Sequence, residues 1–192
     1  MHTDQEFRQW CQNKDIPLIS PETENLIYTI LQKIEPQYCI EIGSAVGYSG
    51  TVISASIQSR WGQLYSFEVA HNVYTQALWH TKHIPNITIY PRSPIDTDMS
   101  KLILWSYDFV FIDGQKAQYD QYLMKIRPFL CKESVVICDD VIKFQNKLTS
   151  LYRYLEKMQI FYQILQTEQD DGIMLIGDQS VITNLIDHIN HQ

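Results

Sequence analysis

The sequence of 192 residues lacks several features that would assign it to particular classes of protein. No apolar run is long enough to cross a membrane as a helix. The chain opens with Met-His-Thr-Asp-Gln-Glu, which is not typical of a secretion signal. It contains no internal repeat and no low-complexity segment. We therefore expect a cytoplasmic protein with no membrane partner.

Positive charge and cysteine are also scarce. The chain has 15 lysines and arginines against 22 aspartates and glutamates, and its net charge of -7 argues against bulk electrostatic attraction to nucleic acid. A local basic patch is still compatible with this balance. The four cysteines show no metal-ligand spacing, and two of them lie in predicted core strands. Reduced, buried thiols are the simplest interpretation.

The remaining composition is that of a soluble globular protein, and the length suits one domain over residues 1–192. The predicted strands are Tyr38–Ile42, Leu64–Glu68, Ile87–Tyr90, Asp108–Asp113, Ser134–Asp140, Phe161–Gln166 and Gly172–Ile176. The predicted helices are Asp4–Asn13, a segment capped by Ser20 and closed by Pro36, one that begins at Thr51, Asn72–Lys82, Gln118–Phe129, Lys143–Met158 and Gln179–Ile189. Strands that alternate with helices predict an α/β fold with a parallel, doubly wound sheet.

The stretch from Tyr38 to Gly50 combines a buried strand, a glycine turn and the start of a helix. Glycine lets the backbone approach a ligand closely, and the unpaired amides of a helix start attract an anionic group. The spacing from Glu41 through Gly43 to Gly47 is Glu-x-Gly-x-x-x-Gly, not the Gly-x-Gly-x-x-Gly of nicotinamide or flavin enzymes. It resembles the first motif of S-adenosylmethionine-dependent methyltransferases.

Glycine or acidic residues end four of the predicted strands. Ligands bind at the carboxyl ends of strands in such sheets, so these residues should line one cleft. They are Gly43, Glu68, Asp113, Asp139 and Asp140. Glu68 lies roughly 20 residues past the glycine turn, where a carboxylate can accept both ribose hydroxyls of a nucleoside cofactor. Ser93, after the third strand, is a weaker candidate for contacting the adenine.

Two later motifs strengthen the resemblance. They are Ile-Asp-Gly-x-Lys-x-x-Tyr, which ends at Tyr119, and Cys-Asp-Asp-Val, which ends at Val141. Together with Glu-Ile-Gly-Ser-Ala-Val-Gly-Tyr-Ser, they resemble the cation-dependent O-methyltransferases of the catechol and caffeoyl-CoA type, which include bacterial enzymes that methylate 5-hydroxyuridine in tRNA. The resemblance runs from Asp15 to Ile173. It implies a Rossmann-like sheet with an antiparallel seventh strand, and often a homodimer.

The resemblance also implies roles for individual residues. Asp113, Asp139 and Asp140 would be ligands of a divalent cation such as Mg²⁺. Lys116 would be the base near the hydroxyl group of the methyl acceptor, with Asp113 as the other catalytic residue. S-adenosylmethionine would be bound by Glu41, Gly43, Gly47, Tyr48, Ser49, Glu68, Ser93 and Asp113.

The sequence departs from the family pattern in three places. Asp140 replaces the asparagine of the family's Asp-Asn pair, so it would either stay protonated in the amide's place or cap the following helix. The family's Gly-Gly before the fifth strand is replaced by Lys132-Glu-Ser134, which is a loop change. The N-terminal segment, which helps to cover the substrate in the family, is short, so the size of the substrate stays open.

The predicted chemistry suits these residue types. Mg²⁺ commonly takes one or two carboxylates plus water, and a bound cation lowers the pKa of a coordinated hydroxyl. Lys116, desolvated beside the cation, could lose its proton and act as base. Two alternatives remain. A metal-independent methyltransferase for another nucleophile would keep the glycine turn and Glu68, and a non-catalytic protein would bind the cofactor without turnover.

The acceptor is a small hydroxylated molecule or tRNA, and one pattern bears on this choice. On the predicted helix Lys143–Met158, four cations share roughly 120° of arc. They are Lys143, Lys147, Arg153 and Lys157, opposite Phe144, Leu148, Leu151 and Leu155. A basic stripe beside the site could contact phosphates, although a solvated helix face gives the same pattern.

Overall fold

The structure, a computed structural model, describes residues 4–102, 106–168 and 170–191. Within these ranges there are seven strands: β1 (Tyr38–Ile42), β2 (Gln63–Phe67), β3 (Ile87–Tyr90), β4 (Tyr107–Ile112), β5 (Leu130–Cys138), β6 (Tyr162–Gln166) and β7 (Gly172–Ile176). The α-helices are α1 (Asp4–Gln12), α2 (Pro21–Ile34), α3 (Tyr48–Gln58), α4 (His71–Thr81), α5 (Tyr119–Ile126), α6 (Thr149–Lys157) and α7 (Gln179–Asn190).

The strands form one sheet in the order β3-β2-β1-β4-β5-β7-β6. Neighbouring strands from β3 to β5 are parallel, whereas β7 runs antiparallel to both β5 and β6. The predicted fold class, a mostly parallel Rossmann-like sheet with an antiparallel final strand, is confirmed. The order reverses between β1 and β4, and the crevice at such a switch point is the usual ligand site in open α/β sheets.

Buried side chains cover both faces of the sheet because successive residues of a strand point to opposite faces. In β4, Phe109 and Phe111 face the core shared with α1, α2, α3 and α7. Val110 and Ile112 face the core shared with α5 and α6. With both faces covered, ligands have access to the sheet at the ends of its strands.

The segment after β5 differs from its prediction. The helix predicted over Lys143–Met158 begins only at Thr149, because the chain first makes 3-10 turns, whose backbone hydrogen bonds join residues three apart. Lys147 N donates to Phe144 O at 2.8 Å, and Leu148 N donates to Gln145 O at 3.1 Å. Lys143 and Lys147 therefore do not share a helix face with the cations of α6, and the predicted basic stripe is wrong.

Two other boundaries move for local reasons. The helix α5 ends at Ile126 and a short 3-10 turn follows, since Pro128 has no N–H to continue the α-helical bonds. The strand β5 ends at Cys138, so Asp139 and Asp140 lie just beyond the strand and not within it.

The lengths of the helices and the burial of the cysteines bear on two expectations about the chain. None of the helices in the described ranges is long and apolar enough to cross a membrane. All four cysteines are free, and Cys11, Cys39 and Cys138 are buried, whereas Cys131 is exposed. The interpretation as buried thiols therefore holds for three of the four.

Candidate active site

A cavity of about 1010 Å³ opens at the carboxyl ends of β1, β2, β4 and β5. Eight of the predicted site residues line it: Gly43, Tyr48, Ser49, Glu68, Ser93, Asp113, Asp139 and Asp140. The structure thus brings all five strand-end residues to one cavity. Glu41, Gly47 and Lys116 lie outside its lining, and their predicted roles stay predictions.

The glycine turn forms one wall of the cavity. Gly43 has φ +95°, and a Cβ at this position would lie 2.5 Å from the backbone oxygen of Asp113, so only glycine lets the ends of β1 and β4 come together. The next residue, Ser44, also lines the cavity. Its hydroxyl is buried and has no hydrogen-bond partner among the described residues. A buried polar group without a partner is costly, so Ser44 is available to a polar ligand. Sequence reasoning missed it, and its position inside the turn was the only signal.

Glu41 lies behind this wall and is fully buried. Its carboxylate accepts hydrogen bonds from the hydroxyls of Ser49 and Ser66, both at 2.5 Å. Burial raises the pKa of Glu41 to about 7, although the two serine hydrogen bonds lower it. Glu41 therefore orients Ser49, and its predicted direct contact with a cofactor stays a prediction.

Glu68 lies at the opposite side of the turn, just after β2, and is partly exposed to the cavity. Ala70 N donates to its Oε1 at 2.7 Å and Ala45 N donates to its Oε2 at 3.0 Å. Two backbone amides thus fix the carboxylate, which still has lone pairs for hydroxyl donors of a ligand. Ser93 accepts a bond from Ile95 N at 3.2 Å and caps a short 3-10 turn.

Tyr48 connects the cavity to the N-terminal helices. Its hydroxyl donates to Glu24 Oε2 at 2.8 Å and accepts from Arg8 Nε at 3.0 Å. Arg8 also forms an ion pair with Glu24. Burial, together with the hydrogen bond to Glu24, raises the pKa of Tyr48 to about 12. Neither Arg8 nor Glu24 was predicted, because long-range side-chain pairs leave no periodic signal in a single sequence.

The most polar part of the site lies where β4 and β5 end. Lys116 Nζ donates to Asp113 Oδ1 at 2.6 Å, to Asp140 Oδ2 at 2.7 Å and to the Tyr119 hydroxyl at 2.9 Å. We call this set of three acceptors around Nζ the Lys116 cage. The Tyr119 hydroxyl in turn donates to the backbone oxygen of Asp139 at 3.1 Å.

These charges change the pKa values of one another. Burial lowers the pKa of Lys116, but Asp113 and Asp140 outweigh it, and the net pKa is raised. Burial also raises the pKa of Asp140, but its bond to Lys116 brings the net value below the ordinary one. Burial, followed by repulsion from Asp113 and Asp140, raises the pKa of Asp139 to about 8. These contacts favour the ammonium form of Lys116, and its predicted role as base stays a prediction.

The donor set does not fit the predicted Mg²⁺ site. Asp113 and Asp140 both give an oxygen to Lys116, and Asp139 Oδ1 accepts from Asp140 N at 3.0 Å. Across the described ranges there is no group of three or more His, Cys, Asp or Glu residues that could hold a metal ion. Asp140 does not cap the following helix, as one prediction had it, because the N-cap of α6 is Leu148. Its Oδ2 pairs with Lys116 instead, and the other prediction, a protonated Asp140 in the place of the amide, stays a prediction.

Solved structures define the class of protein to which this fold belongs. The O-methyltransferase from Bacillus cereus in complex with SAH superposes with a TM-score of 0.78 at 18% identity, over 91% of this chain and 90% of that one. SAH-bound methyltransferase PaMTH1 of Podospora anserina gives 0.77 at 14% identity, over 92% and 87%. TomG of Streptomyces achromogenes, an O-methyltransferase in complex with SAM, gives 0.74 at 16% identity, over 91% and 89%. At these identities the matches show a Rossmann-like methyltransferase fold.

The sequence itself identifies the family. A family described as a methyltransferase domain matches residues 40–141, which is more than half of the chain. The matched residues run from β1 to just past β5 and include the glycine turn, Glu68 and the Lys116 cage. The chain belongs to this family and is a methyltransferase.

Proposed function

We propose that the protein transfers a methyl group from S-adenosylmethionine to a hydroxyl group of a small molecule. The observation that carries the proposal is that one cavity contains both Glu68, beside the glycine turn, and Asp139, at the end of β5. The part near Glu68 suits a nucleoside, and the part near Asp139 suits the hydroxyl group of an acceptor. Membership of a methyltransferase family supports methyl transfer, and the SAM and SAH complexes of the similar structures support the choice of methyl donor.

The residues of the glycine turn and Glu68 fit S-adenosylmethionine. Glu68 would accept the ribose hydroxyls, because its carboxylate is fixed by two backbone amides and keeps free lone pairs. Ser44, Ser49 and the amide end of α3 would bind the methionine carboxylate. S-adenosylmethionine supplies a sulfonium methyl group, and its sulfur keeps the electron pair of the S–CH₃ bond when that bond breaks.

The acceptor would lie against Asp139. Of the three carboxylates at the ends of β4 and β5, Asp139 is the one for which the described residues form no ion pair. In its ionised form, Asp139 can accept the hydroxyl proton on Oδ2 while the acceptor oxygen forms its bond to the methyl carbon, and a pKa of about 8 makes it a stronger base than an ordinary carboxylate. Alignment of the two reactants in one cavity supplies much of the rate. No step in this scheme uses a divalent cation.

A small hydroxylated acceptor is favoured over tRNA for a specific reason. Lys143 and Lys147 precede α6, so the helical stripe that suggested contact with tRNA loses two of its four cations. The chain's net charge of -7 would also repel a polyanion such as tRNA. Hydroxyuridine in tRNA is the second candidate acceptor.

The test is transfer of labelled methyl from S-adenosylmethionine to catechols and, in parallel, to tRNA that contains hydroxyuridine. We expect label in a catechol and a loss of roughly 100-fold or more in turnover for Asp139→Asn, with unchanged affinity for the cofactor. Label in tRNA alone would show that the acceptor is tRNA and not a small molecule. No binding of S-adenosylmethionine at all would refute the proposal.

A further inference from the structure

The Lys116 cage takes no part in the methyl transfer proposed above. An ammonium group has three N–H donors and no acceptor. The Lys116 cage supplies three acceptors, at 2.6, 2.7 and 2.9 Å, so each donor has its own partner. The side chain is only 12% exposed, and the residue lies behind the cavity wall that Asp113 and Asp140 form.

The local backbone builds this arrangement. Lys116 and Tyr119 follow Asp113 at intervals of three residues, and a 3-10 turn over Lys116–Gln118 brings them back toward the end of β4. Asp140 adopts φ +58° just past β5, a conformation that is rare outside glycine. Tyr119 is fully buried and anchored on the backbone of Asp139. The acceptors are thus held at the ends of two neighbouring strands, β4 and β5.

The surroundings favour a monovalent cation at this point. The rings of Tyr119 and Phe144 lie 5.3 Å and 5.7 Å from Lys116 Nζ, within the range of cation–π attraction. A divalent cation would need oxygens of the same two carboxylates, Asp113 and Asp140. It would then lie within a few ångströms of the ammonium group, and the two positive charges would repel each other.

We propose that Lys116 is the resident cation of the acceptor site, that it occupies the place of a divalent metal between Asp113 and Asp140, and that methyl transfer needs no added metal. Lys116 is then a positioning residue, which keeps the two carboxylates paired and leaves Asp139 to face the acceptor. The statement about turnover rests on the proposed function, whereas the statement about metal binding does not.

The test is calorimetric titration of Mg²⁺ and Mn²⁺ into the wild type and two variants, without cofactor or acceptor. Lys116→Met keeps the length of the side chain and frees both carboxylates. The control, Lys147→Met, removes the same charge from an exposed lysine that contacts the same ring, Phe144, but forms no ion pair with Asp113 or Asp140 among the described residues. We expect no binding by the wild type or the control below about 1 mM, and an affinity at least about tenfold higher for Lys116→Met.

The wild type alone can overturn the inference, even if Lys116→Met fails to fold. Binding of either metal by the wild type below about 1 mM, or loss of turnover in excess EDTA, refutes it. Binding of the cofactor product SAH shows whether Lys116→Met is folded, and a folded variant that binds metal no better than the control also refutes it. If no acceptor is methylated at all, the proposed function fails, but the metal titrations still decide the role of Lys116.

Discussion

Glu41 and Glu68 belong to neighbouring strand segments, yet the structure gives them opposite surroundings. Glu41 is fully buried and receives two serine hydroxyls, whereas Glu68 is partly exposed and receives two backbone amides. Each acid lies in or just after a strand that leads to the glycine turn's edge of the sheet, and both were predicted to bind the cofactor. Sequence position could not separate them, because the direction of a side chain depends on how β1 and β2 pack against their helices.

Burial of Glu41 leads to a prediction about pH. Its pKa is about 7 against an ordinary value of 4.5, so the folded state binds its proton more tightly than the unfolded state does. The stabilising contribution is fully present below the ordinary pKa, declines as the pH rises, and is lost once the pH has passed 7. The loss amounts to about 3 kcal/mol, since one pKa unit corresponds to about 1.4 kcal/mol.

Urea unfolding at pH 4.5, 6 and 8 measures this effect. Glu41→Gln cannot titrate, so we expect its free energy of unfolding to improve relative to the wild type as the pH rises. Glu133→Gln, which changes an exposed acid of β5, should keep a constant difference from the wild type. The same constant difference for Glu41→Gln would contradict the raised pKa.

At the scale of elements, periodicity located the strands and most helices but failed after β5. The predicted amphipathic pattern is present, since Leu148, Leu151 and Leu155 are all buried. The helix nevertheless starts late, because the chain leaves β5 through the positive φ of Asp140 and first makes 3-10 turns. A hydrophobic pattern reports burial, and it cannot report a backbone conformation that tertiary contacts impose.

The helix α1 gives the prediction at this scale. Arg8 connects it to α2 through Glu24 and to α3 through Tyr48, which lines the cavity. Arg8→Ala would leave these two partners without their cation and loosen the wall at the methionine end. We expect faster dissociation of SAH, by about tenfold, because a charged hydrogen bond contributes about 1.5–3 kcal/mol when buried and less here, where both side chains are partly exposed.

Stopped-flow displacement of SAH measures that rate. The matched control is Arg60→Ala, which removes the ion pair between Arg60 and Glu35. Neither residue of this pair lines the cavity. It should leave the dissociation rate unchanged. Equal rates for the wild type and both variants would show that α1 has no influence on the cofactor site.

At the scale of the whole molecule, topology explains why so much of the site was predictable. Parallel strands end on one edge, so five residues far apart in sequence could be placed together without knowing any side-chain contact. The partner of each charge was not predictable in that way. Asp140 pairs with Lys116 because the ends of β4 and β5, together with Tyr119, hold these groups within hydrogen-bond distance.

A cavity formed by the ends of four strands should couple ligand binding to global stability. A ligand that binds only the folded state at 100 times its Kd stabilises it by about 2.7 kcal/mol, which for a chain of this length raises Tm by about 5–10 °C. We expect SAH to produce such a shift in the wild type. Glu68→Ala should lose most of it at the same SAH concentration, because lost hydrogen bonds to the ribose cost about 1–3 kcal/mol.

Differential scanning calorimetry with and without SAH gives each shift relative to the same variant's own unliganded Tm, which removes any direct effect of Glu68→Ala on folding. Glu133→Ala serves as the control, since it removes an exposed carboxylate of β5 that is not part of the cavity lining. It should keep the full shift. A full shift in Glu68→Ala would remove Glu68 from the cofactor site, and the absence of a shift in the wild type would show that SAH does not bind this cavity, because any ligand that prefers the folded state must raise Tm.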